Sequence, residues 1–263
     1  MKTSASTIEQ PITLVIPVYN EETRLDRNGM ELMGYIDSAP GGSTIVFVDD
    51  GSTDATVPKA TQLAGQSPRI QVHARPHLGK GAAVAYGLGI ATTPLAGYTD
   101  IDLSTPLSEV NRLFVIAAST NSLVIGSRGL STSRVEKHQS GLRERLGRTF
   151  NLLVRATIAP GVHDTQCGAK FGRTSSWRSI LAKTSDNGFA WDAEAVAVAQ
   201  RLGLGVEEVG IRWSHDPMTR VDVMGDGVRM ALAVVGMGPR LRRLRRAQVD
   251  ESVQNPVTST PHV

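Results

Sequence analysis

The sequence predicts an α/β protein in which helices cover both faces of a mostly parallel β-sheet. Short runs of apolar, β-branched residues alternate along the first half of the chain with segments of helical spacing, the order expected for parallel strands joined by crossover helices. Acidic clusters follow several of these runs, where open α/β sheets bind ligands. The 263 residues are 40% hydrophobic and 20% charged, which is enough to bury an ordinary core and is not typical of a disordered chain.

Continuous apolar runs define the predicted strands. Ile12–Val18 reads ITLVIPV, with no regular polar alternation, and this is typical of a strand buried on both faces. The strands are predicted over Ile12–Val18, Thr44–Val48, Ile70–Ala74, Gly97–Asp100 and Ser122–Gly126. The helices between them are predicted over Glu21–Ser38, Thr53–Gly65, Gly79–Thr92 and Pro106–Ala118.

The second half of the chain is less regular. Gly141–Ile158 and Trp191–Leu202 are predicted to be helices, and Val206–Trp213 alternates as an edge strand does. Asp164–Phe171 mixes polar, apolar and turn residues and predicts no element. A final amphipathic helix is predicted over Asp222–Arg246, where GMGP at residues 236–239 could break it.

These patterns divide the chain into four parts. Residues 1–10 are predicted to be a flexible tail and residues 247–263 a disordered one, because both are polar and aperiodic. Residues 11–222 are predicted to form the α/β domain, and residues 223–246 an amphipathic basic helix.

Charge and cysteine content exclude several function classes. The net charge of +3 is too small to indicate nucleic-acid binding, and it is local, because the chain without the five arginines of residues 239–246 is at −2. One cysteine excludes a disulfide framework and a Cys-rich zinc site. No apolar stretch reaches the ~20 residues of a spanning helix, and no signal peptide is visible. We therefore expect a cytoplasmic protein, at most peripheral at the inner face of the membrane.

Asp100 and Asp102 come directly after a predicted strand. Two carboxylates at this spacing can converge on one hard cation such as Mg²⁺, which keeps phosphate oxygens in its coordination shell. A helix cap would account for Ser104 or Thr105, which precede a helix, but not for both aspartates.

Two further motifs follow strand ends. In VDDGSTDAT (residues 48–56), a turn and a helix cap explain Gly51 and Ser52, whereas Asp49 and Asp50 could accept hydrogen bonds from a nucleobase or a ribose. HLGKG (residues 77–81) precedes a small-residue helix and lacks the spacing of a P-loop.

Together these segments resemble the family 2 glycosyltransferases of the GT-A fold, and within them the polyprenyl-phosphate sugar synthases of the dolichyl-phosphate glucosyltransferase and dolichol-phosphate mannose synthase type. The matching segments run in the family's order over residues 12–235: IPVYNE (16–21), VDDGSTDAT (48–56), GKG (79–81), DID (100–102), GSR (126–128), DTQCGAK (164–170), WDAE (191–194) and WSHDPMTRV (213–221). The last three segments favour the glucosyl type.

The resemblance implies a nucleotide-sugar donor, with UDP-glucose favoured, and a Mg²⁺ or Mn²⁺ cofactor. Asp102 would be the main protein ligand of the metal, supported by Asp100, and Arg220 would face the donor diphosphate. The implied donor-site residues are Pro17, Tyr19, Glu21, Asp49, Asp50, Lys80, Asp100, Ile101, Asp102 and Arg220.

The resemblance also implies an acceptor site and transfer with inversion. Asp102, Asp164, Asp192 and Arg128 would carry catalysis, with Glu194 near the donor sugar and the acceptor. The implied acceptor-binding residues are Arg128, Arg143, Arg145, Arg148 and Gln166. Each arginine of residues 143–148 can equally belong to a solvated helix face.

The nature of the acceptor stays open at this point. A polyprenyl phosphate is already anionic, since the second pKa of a phosphate monoester is about 6, and it needs arginines rather than a general base. A soluble sugar acceptor would need a carboxylate base, with Asp164 and Asp192 as candidates. A nucleotidyltransferase is disfavoured because PVYNEE, not a basic glycine-rich loop, follows the first strand. A non-catalytic binding module is disfavoured because Asp100 and Asp102 are both present.

The remaining features have competing interpretations. The final helix combines apolar residues with five arginines, which suits either peripheral contact with anionic lipid through residues 228–246 or a helix packed on the domain. Cys167 is predicted to be a buried small residue, and Trp191 and Trp213 are predicted to pack in the core. His163 and His215 lack metal-ligand spacing, and a homodimer is among the open oligomeric states.

Overall fold

The computed structural model describes residues 8–137, 141–216 and 223–244. Within them the strands are β1 (Ile12–Val18), β2 (Thr44–Asp49), β3 (Ile70–Ala74), β4 (Leu95–Thr99), β5 (Leu123–Ser127), β6 (Arg134–Lys137), β7 (Ala169–Arg173), β8 (Val206–Gly210) and β9 (Arg212–Ser214). The helices are α1 (Glu22–Ser38), α2 (Thr56–Ala64), α3 (Lys80–Gly89), α4 (Leu107–Thr120), α5 (Gly141–Thr157), α6 (Thr174–Leu181), α7 (Trp191–Arg201) and α8 (Val223–Arg243). None of these helices has the length and hydropathy required to cross a membrane.

Seven strands form one sheet in the order β3-β2-β1-β4-β7-β5-β8. Neighbouring strands are parallel except at β7, which runs antiparallel to both β4 and β5. Strands β6 and β9 form a separate parallel pair. The carboxyl ends of β2, β1 and β4 therefore lie side by side, which confirms the predicted mostly parallel sheet and provides the expected ligand-binding edge.

Two core clusters cover the two faces of this sheet. Successive residues of β1 alternate between them, with Val15 in one and Leu14 and Ile16 in the other. Helices α3, α5, α6, α7 and α8 contribute to the first cluster, and α1, α2 and α4 to the second. The continuous apolar runs of the sequence follow from this burial on both faces.

The main difference from the sequence prediction is β7. The sequence yielded no element over Asp164–Phe171, yet residues 169–173 form a strand inside the sheet. Lys170 interrupts the apolar pattern of this strand, but its side chain is fully buried and paired with Asp192. The short elements β6 and α6 were also not predicted.

Two predictions for the end of the chain need correction. Val206–Trp213 is not one edge strand, because β8 forms the sheet edge while β9 pairs with β6. Helix α8 continues through Pro239 without the break that the sequence suggested. Arg240, directly after that proline, donates to the Lys183 carbonyl at 2.6 Å and holds the last turns against the domain.

The predicted tails lie mostly outside the described residues. Within the described part, Ile8 is already buried in the second core cluster. The division at residues 11, 223 and 247 stays a prediction.

Candidate active site

The carboxyl edge brings together the polar segments that follow β1, β2 and β4. Asn20 adopts a left-handed conformation with φ of 54°, and its side-chain oxygen accepts the backbone N–H of Thr53 at 2.8 Å. The backbone N–H of Asn20 in turn donates to the Ser52 hydroxyl at 2.8 Å. The segments after β1 and β2 are therefore held together at this edge.

Asp49 and Asp50 are both buried, and both carboxylates accept backbone N–H groups. Asp49 receives N–H groups of Gly51 and Ser52, each at 3.1 Å. Asp50 receives those of Leu78 at 2.8 Å and Gly79 at 3.0 Å. These bonds supply the partners that a buried carboxylate needs, and they fix the loop between β3 and α3 against the end of β2.

Tyr19 and His77 form a flat ring surface beside these carboxylates. Their rings stack with centroids 4.4 Å apart and an interplanar angle of 18°. Nδ1 of His77 lies 2.9 Å from a carboxylate oxygen of Asp50, which orients the imidazole. Tyr19 is 40% exposed, so its ring is accessible at the edge. The sequence predicted Tyr19 here but gave His77 no role.

Lys80, the first residue of α3, approaches the acidic pair after β4. Its Nζ lies 2.7 Å from Asp100 Oδ1 and 4.0 Å from Asp192 Oδ2. Burial alone would lower the pKa of Lys80, but the carboxylates of Asp100 and Asp192 outweigh that effect and raise it. Lys80 is therefore protonated and places a positive charge at the carboxyl edge of the sheet.

Gly168 allows the second half of the chain to reach the acidic pair. A Cβ atom at this position would lie 2.0 Å from Asp100 Oδ2, so a side chain would collide with the carboxylate. The DTQCGAK segment therefore packs directly on Asp100, and the close approach requires glycine.

Asp102 and Asp100 are the candidate metal ligands. One Asp102 oxygen accepts the Ser104 N–H at 2.9 Å. Burial, and next the charge of Asp100, raise the pKa of Asp102, and a divalent cation would relieve this repulsion. The described residues contain no group of three or more acidic, histidine or cysteine side chains that could hold a metal. The two hard oxygen donors suit Mg²⁺ or Mn²⁺, with phosphate oxygens completing the shell.

Arg128 and Asp164 form a bidentate ion pair. Nε of Arg128 lies 2.7 Å from Asp164 Oδ2, Nη2 lies 2.8 Å from Oδ1, and the backbone N–H of Arg128 donates to Oδ2 at 3.0 Å. Burial would raise the pKa of Asp164, but Arg128 outweighs it and lowers that pKa to about 2. The guanidinium also faces the Trp213 ring at 5.4 Å. Of the five N–H donors of an arginine side chain, this pair uses two.

Asp192 is the centre of a second buried charge cluster. It accepts hydrogen bonds from Lys170 Nζ and from the Tyr98 hydroxyl. Lys170 also donates to the Cys167 carbonyl at 2.8 Å. Burial would raise the pKa of Asp192, but Lys170 and then Lys80 lower it overall. Asp192 is thus kept ionised close to the acidic pair after β4.

The family model for glycosyl transferase family 2 matches residues 13–181, which is more than half of the chain. The chain belongs to glycosyl transferase family 2. It is similar to a dolichyl-phosphate beta-glucosyltransferase of Trichomonas vaginalis, with 26% identity over 232 residues that cover 84% of this chain and 71% of that protein. It is also similar to a dolichyl-phosphate beta-glucosyltransferase of Dictyostelium discoideum, with 26% identity over 237 residues that cover 85% and 72%.

Solved structures support the same fold for this glycosyltransferase. The glucosyl-3-phosphoglycerate synthase of Mycobacterium tuberculosis, crystallised with Mn²⁺, UDP and glucosyl-3-phosphoglycerate, superposes with a TM-score of 0.63 and 19% identity. The superposition covers 86% of this chain and 78% of that one. The predicted GT-A-like fold is confirmed by this likeness.

Several predicted site residues of the glycosyltransferase have structural partners. Glu194 is fully buried and accepts the N–H groups of Ser185 at 3.0 Å and Asp186 at 2.8 Å, besides its ion pair with Arg240. It therefore joins α7 to α8. The Ile101 side chain lies in the second core cluster, and its backbone carbonyl accepts the side-chain N–H of Asn28 at 2.7 Å.

The structure also describes four other predicted residues. Glu21 pairs with Arg24 at 2.6 Å, and Pro17 is half-buried within β1. Gln166 follows the Arg128–Asp164 pair, and its buried Nε2 has no hydrogen-bond partner among the described residues. Arg148 is exposed on α5.

Three predicted arginines cannot be placed in the site. Arg220 lies outside the described residues, and so do the side chains of Arg143 and Arg145. Their roles stay predictions.

The predicted burial of Cys167, Trp191 and Trp213 is confirmed. Cys167, Trp191 and Trp213 are buried in the core, and burial raises the pKa of the Cys167 thiol to about 12. His163 is hydrogen-bonded through Nδ1 to Glu208 at 3.0 Å, and His215 stacks on Trp213.

Sequence reasoning missed Lys170, Tyr98 and Glu208. Glu208 accepts the backbone N–H groups of His163 at 2.9 Å and Asp164 at 2.8 Å, and so positions the Asp164 loop. Lys170 stands in the DTQCGAK segment, but a lysine inside a sheet strand has no signal that marks it as buried.

Proposed function

We propose that this glycosyltransferase moves glucose from UDP-glucose to a polyprenyl phosphate, with inversion at the anomeric carbon and with Mg²⁺ or Mn²⁺ bound. The observation that carries the proposal is the convergence of Asp100 and Asp102 with the half-buried Lys80 and the buried Asp192 at the carboxyl edge. The glucosyl and lipid-phosphate parts rest on the similarity to dolichyl-phosphate beta-glucosyltransferases.

The donor half of the site is assigned to the ends of β1, β2 and β4. Asp102 and Asp100 would hold the metal, which stabilises the negative charge left on the diphosphate when the anomeric bond breaks. Lys80 supplies a further positive charge beside the same carboxylates. The stacked rings of Tyr19 and His77 offer a flat surface for the base, next to Asp50.

The acceptor half is assigned to the Arg128–Asp164 pair. A phosphate acceptor is anionic near neutral pH, so it needs positioning and charge compensation rather than proton removal. Arg128 keeps N–H donors beyond those that bind Asp164. The ion pair with Asp164 holds the guanidinium in a fixed orientation, which favours recognition of a planar or tetrahedral anion.

The test is a UDP-release assay with purified protein and Mn²⁺. UDP-glucose and GDP-mannose are supplied separately, each with and without a short-chain polyprenyl phosphate. We expect release from UDP-glucose that depends on the lipid phosphate. Equal release with a soluble sugar acceptor in place of the lipid would contradict the assigned acceptor, and would make Asp164 or Asp192 the base to test next.

The metal assignment is tested by Asp102→Asn, with Asp26→Asn as the matched control on an exposed helix position. We expect Asp102→Asn to lower kcat by about 10²–10³-fold, because charge on the leaving group is no longer stabilised. It should also abolish Mn²⁺-dependent UDP binding in calorimetry. Metal-dependent binding that matches the control would overturn the assignment.

The acceptor assignment is tested by Arg128→Lys, which keeps the charge but loses the planar fork. The KM for the lipid phosphate should rise at least about tenfold, while the KM for UDP-glucose stays within about twofold. An equal rise in both KM values would place Arg128 outside the acceptor site.

A further inference from the structure

Helices α5 and α8 expose four large apolar side chains. Val228, Leu232 and Val235 of α8 are 62%, 70% and 58% exposed, and Leu152 of α5 is 65% exposed. These four make up half of the eight large apolar side chains that are exposed among the described residues. We call these four side chains the outward face.

The residues of the outward face do not pack in the hydrophobic core. Helix α8 packs on the domain through three other residues, Val234, Met237 and Leu241, which are buried in the first core cluster. The spacing of residues 228, 232 and 235 places them on one further stripe of the same helix. Large exposed apolar patches on soluble domains mark interaction surfaces.

The two helices also concentrate positive charge. Their sequences contain eight arginines and two acidic residues, a net charge of +6, whereas the whole chain carries +3. Glu194 of α7 neutralises one of these arginines, Arg240. Arg155 on α5 and Arg242 and Arg243 on α8 are exposed. An apolar stripe flanked by arginines is complementary to a surface that is apolar inside and anionic outside.

We propose that the outward face docks on the surface of an anionic lipid bilayer. Leucine and valine would enter the boundary between headgroups and acyl chains, and the arginines would bind lipid phosphates. The purpose of the contact rests on the proposed lipid-phosphate acceptor. The contact itself does not, because it needs neither donor, acceptor nor metal.

Helix α5 connects the outward face to the site. Asn151 Oδ1 accepts the hydroxyl of Thr165 at 3.4 Å, and Thr165 directly follows Asp164. Leu152 of the outward face is the next residue after Asn151. Docking through α5 would therefore place the bilayer beside a helix that contacts the loop of Asp164.

The experiment is co-sedimentation of the full chain with vesicles that lack polyprenyl phosphate, in buffer without divalent cation or nucleotide. Vesicles of phosphatidylcholine alone are compared with vesicles containing about one third phosphatidylglycerol, at low and high salt. Leu232→Asp is the test variant. Met30→Asp is the matched control, because Met30 is 64% exposed but lies on α1, which packs on the other face of the sheet.

We expect the wild type to bind the anionic vesicles, more weakly at high salt. Leu232→Asp should bind at least about tenfold more weakly, and Met30→Asp within about twofold of wild type. Arg242→Gln/Arg243→Gln should reduce the salt-sensitive part of the binding.

Three results would overturn the proposal: no sedimentation of the wild type, equal losses for Leu232→Asp and Met30→Asp, or a wild-type dimer that Leu232→Asp converts to a monomer without any vesicle binding. The last would make the outward face an interface between two copies of the chain. A failure of the transfer assay alone would leave the vesicle result intact, so the two proposals are tested separately.

Discussion

The carboxylates of the two halves of the site are held in different ways. In the donor half, Asp49 accepts N–H groups only two and three residues further along the chain. In the acceptor half, Asp164 pairs with Arg128, which is 36 residues away. Asp192, between the two halves, pairs with Lys170, which is 22 residues away. Asp49 is thus held by a local turn, whereas Asp164 and Asp192 are held by long-range ion pairs.

This difference has an energetic consequence. A backbone N–H is neutral and local, so losing one such bond costs little beyond the bond itself. A buried carboxylate whose cation is removed stays charged in the low-dielectric interior of the protein, and this destabilises the fold far more. The folding stability should therefore be more sensitive to loss of the cations that pair with Asp164 and Asp192 than to changes at Asp49.

The largest expected effect is that of Lys170→Met. The side chain of Lys170 is fully buried, and its loss leaves Asp192 without its nearest cation. We expect the free energy of unfolding to fall by about 3–5 kcal/mol in urea denaturation. The control is Lys59→Met, which removes a surface ion pair with Asp26 and should cost less than about 1 kcal/mol.

A double variant sharpens this result. Lys170→Met/Asp192→Asn removes both charges, and should lose at least about 1 kcal/mol less than the sum of the two single variants. Additive losses would mean that Lys170 and Asp192 are not coupled, and the contrast between the two halves would fail.

The next effect is a pH dependence caused by Asp164. Its pKa in the folded state is about 2, below the unfolded value of about 4, so the folded state binds the proton less readily. The stabilisation is complete above about pH 4 and is lost as the pH falls toward about 2, by about 2 kcal/mol. Urea denaturation at several acidic pH values measures it.

Asp164→Asn should flatten this part of the pH profile, whatever its effect on the absolute stability. Asp26→Asn, at an exposed carboxylate paired with Lys59, should keep the wild-type slope. If Asp164→Asn leaves the slope of the unfolding free energy against pH unchanged, other carboxylates cause the acid sensitivity.

The smallest effect is expected for Asp49→Asn in the donor half. The amide oxygen of asparagine can still accept the N–H groups of Gly51 and Ser52. We expect the free energy of unfolding to change by about 1 kcal/mol or less. A loss as large as that of Lys170→Met would remove the distinction between local and long-range support.

Most of the first half could be predicted from the sequence. Strands β1 and β3 begin and end at the predicted residues, because apolar runs buried on both faces have no competing periodicity. Helix α2 begins at Thr56 rather than Thr53, because residues 51–55 form the turn that binds Asp49 and Asn20.

The second half of the chain was harder to predict from the sequence, and the reason is physical. In β7, Lys170 breaks the apolar pattern, and its burial depends on a carboxylate from α7 that no local pattern reveals. Glu194 likewise depends on a distant partner, Arg240 of α8, and its predicted place near the substrate stays a prediction.

The sequence by itself determined the family, the strand-helix alternation and the positions of Asp49, Asp50, Asp100 and Asp102 at strand ends, since these depend on short-range patterns. Only the tertiary structure decided which cation neutralises which carboxylate. Arg128, Lys170 and Lys80 reach their partners from distant elements, and the strength of each pair depends on burial and distance in three dimensions.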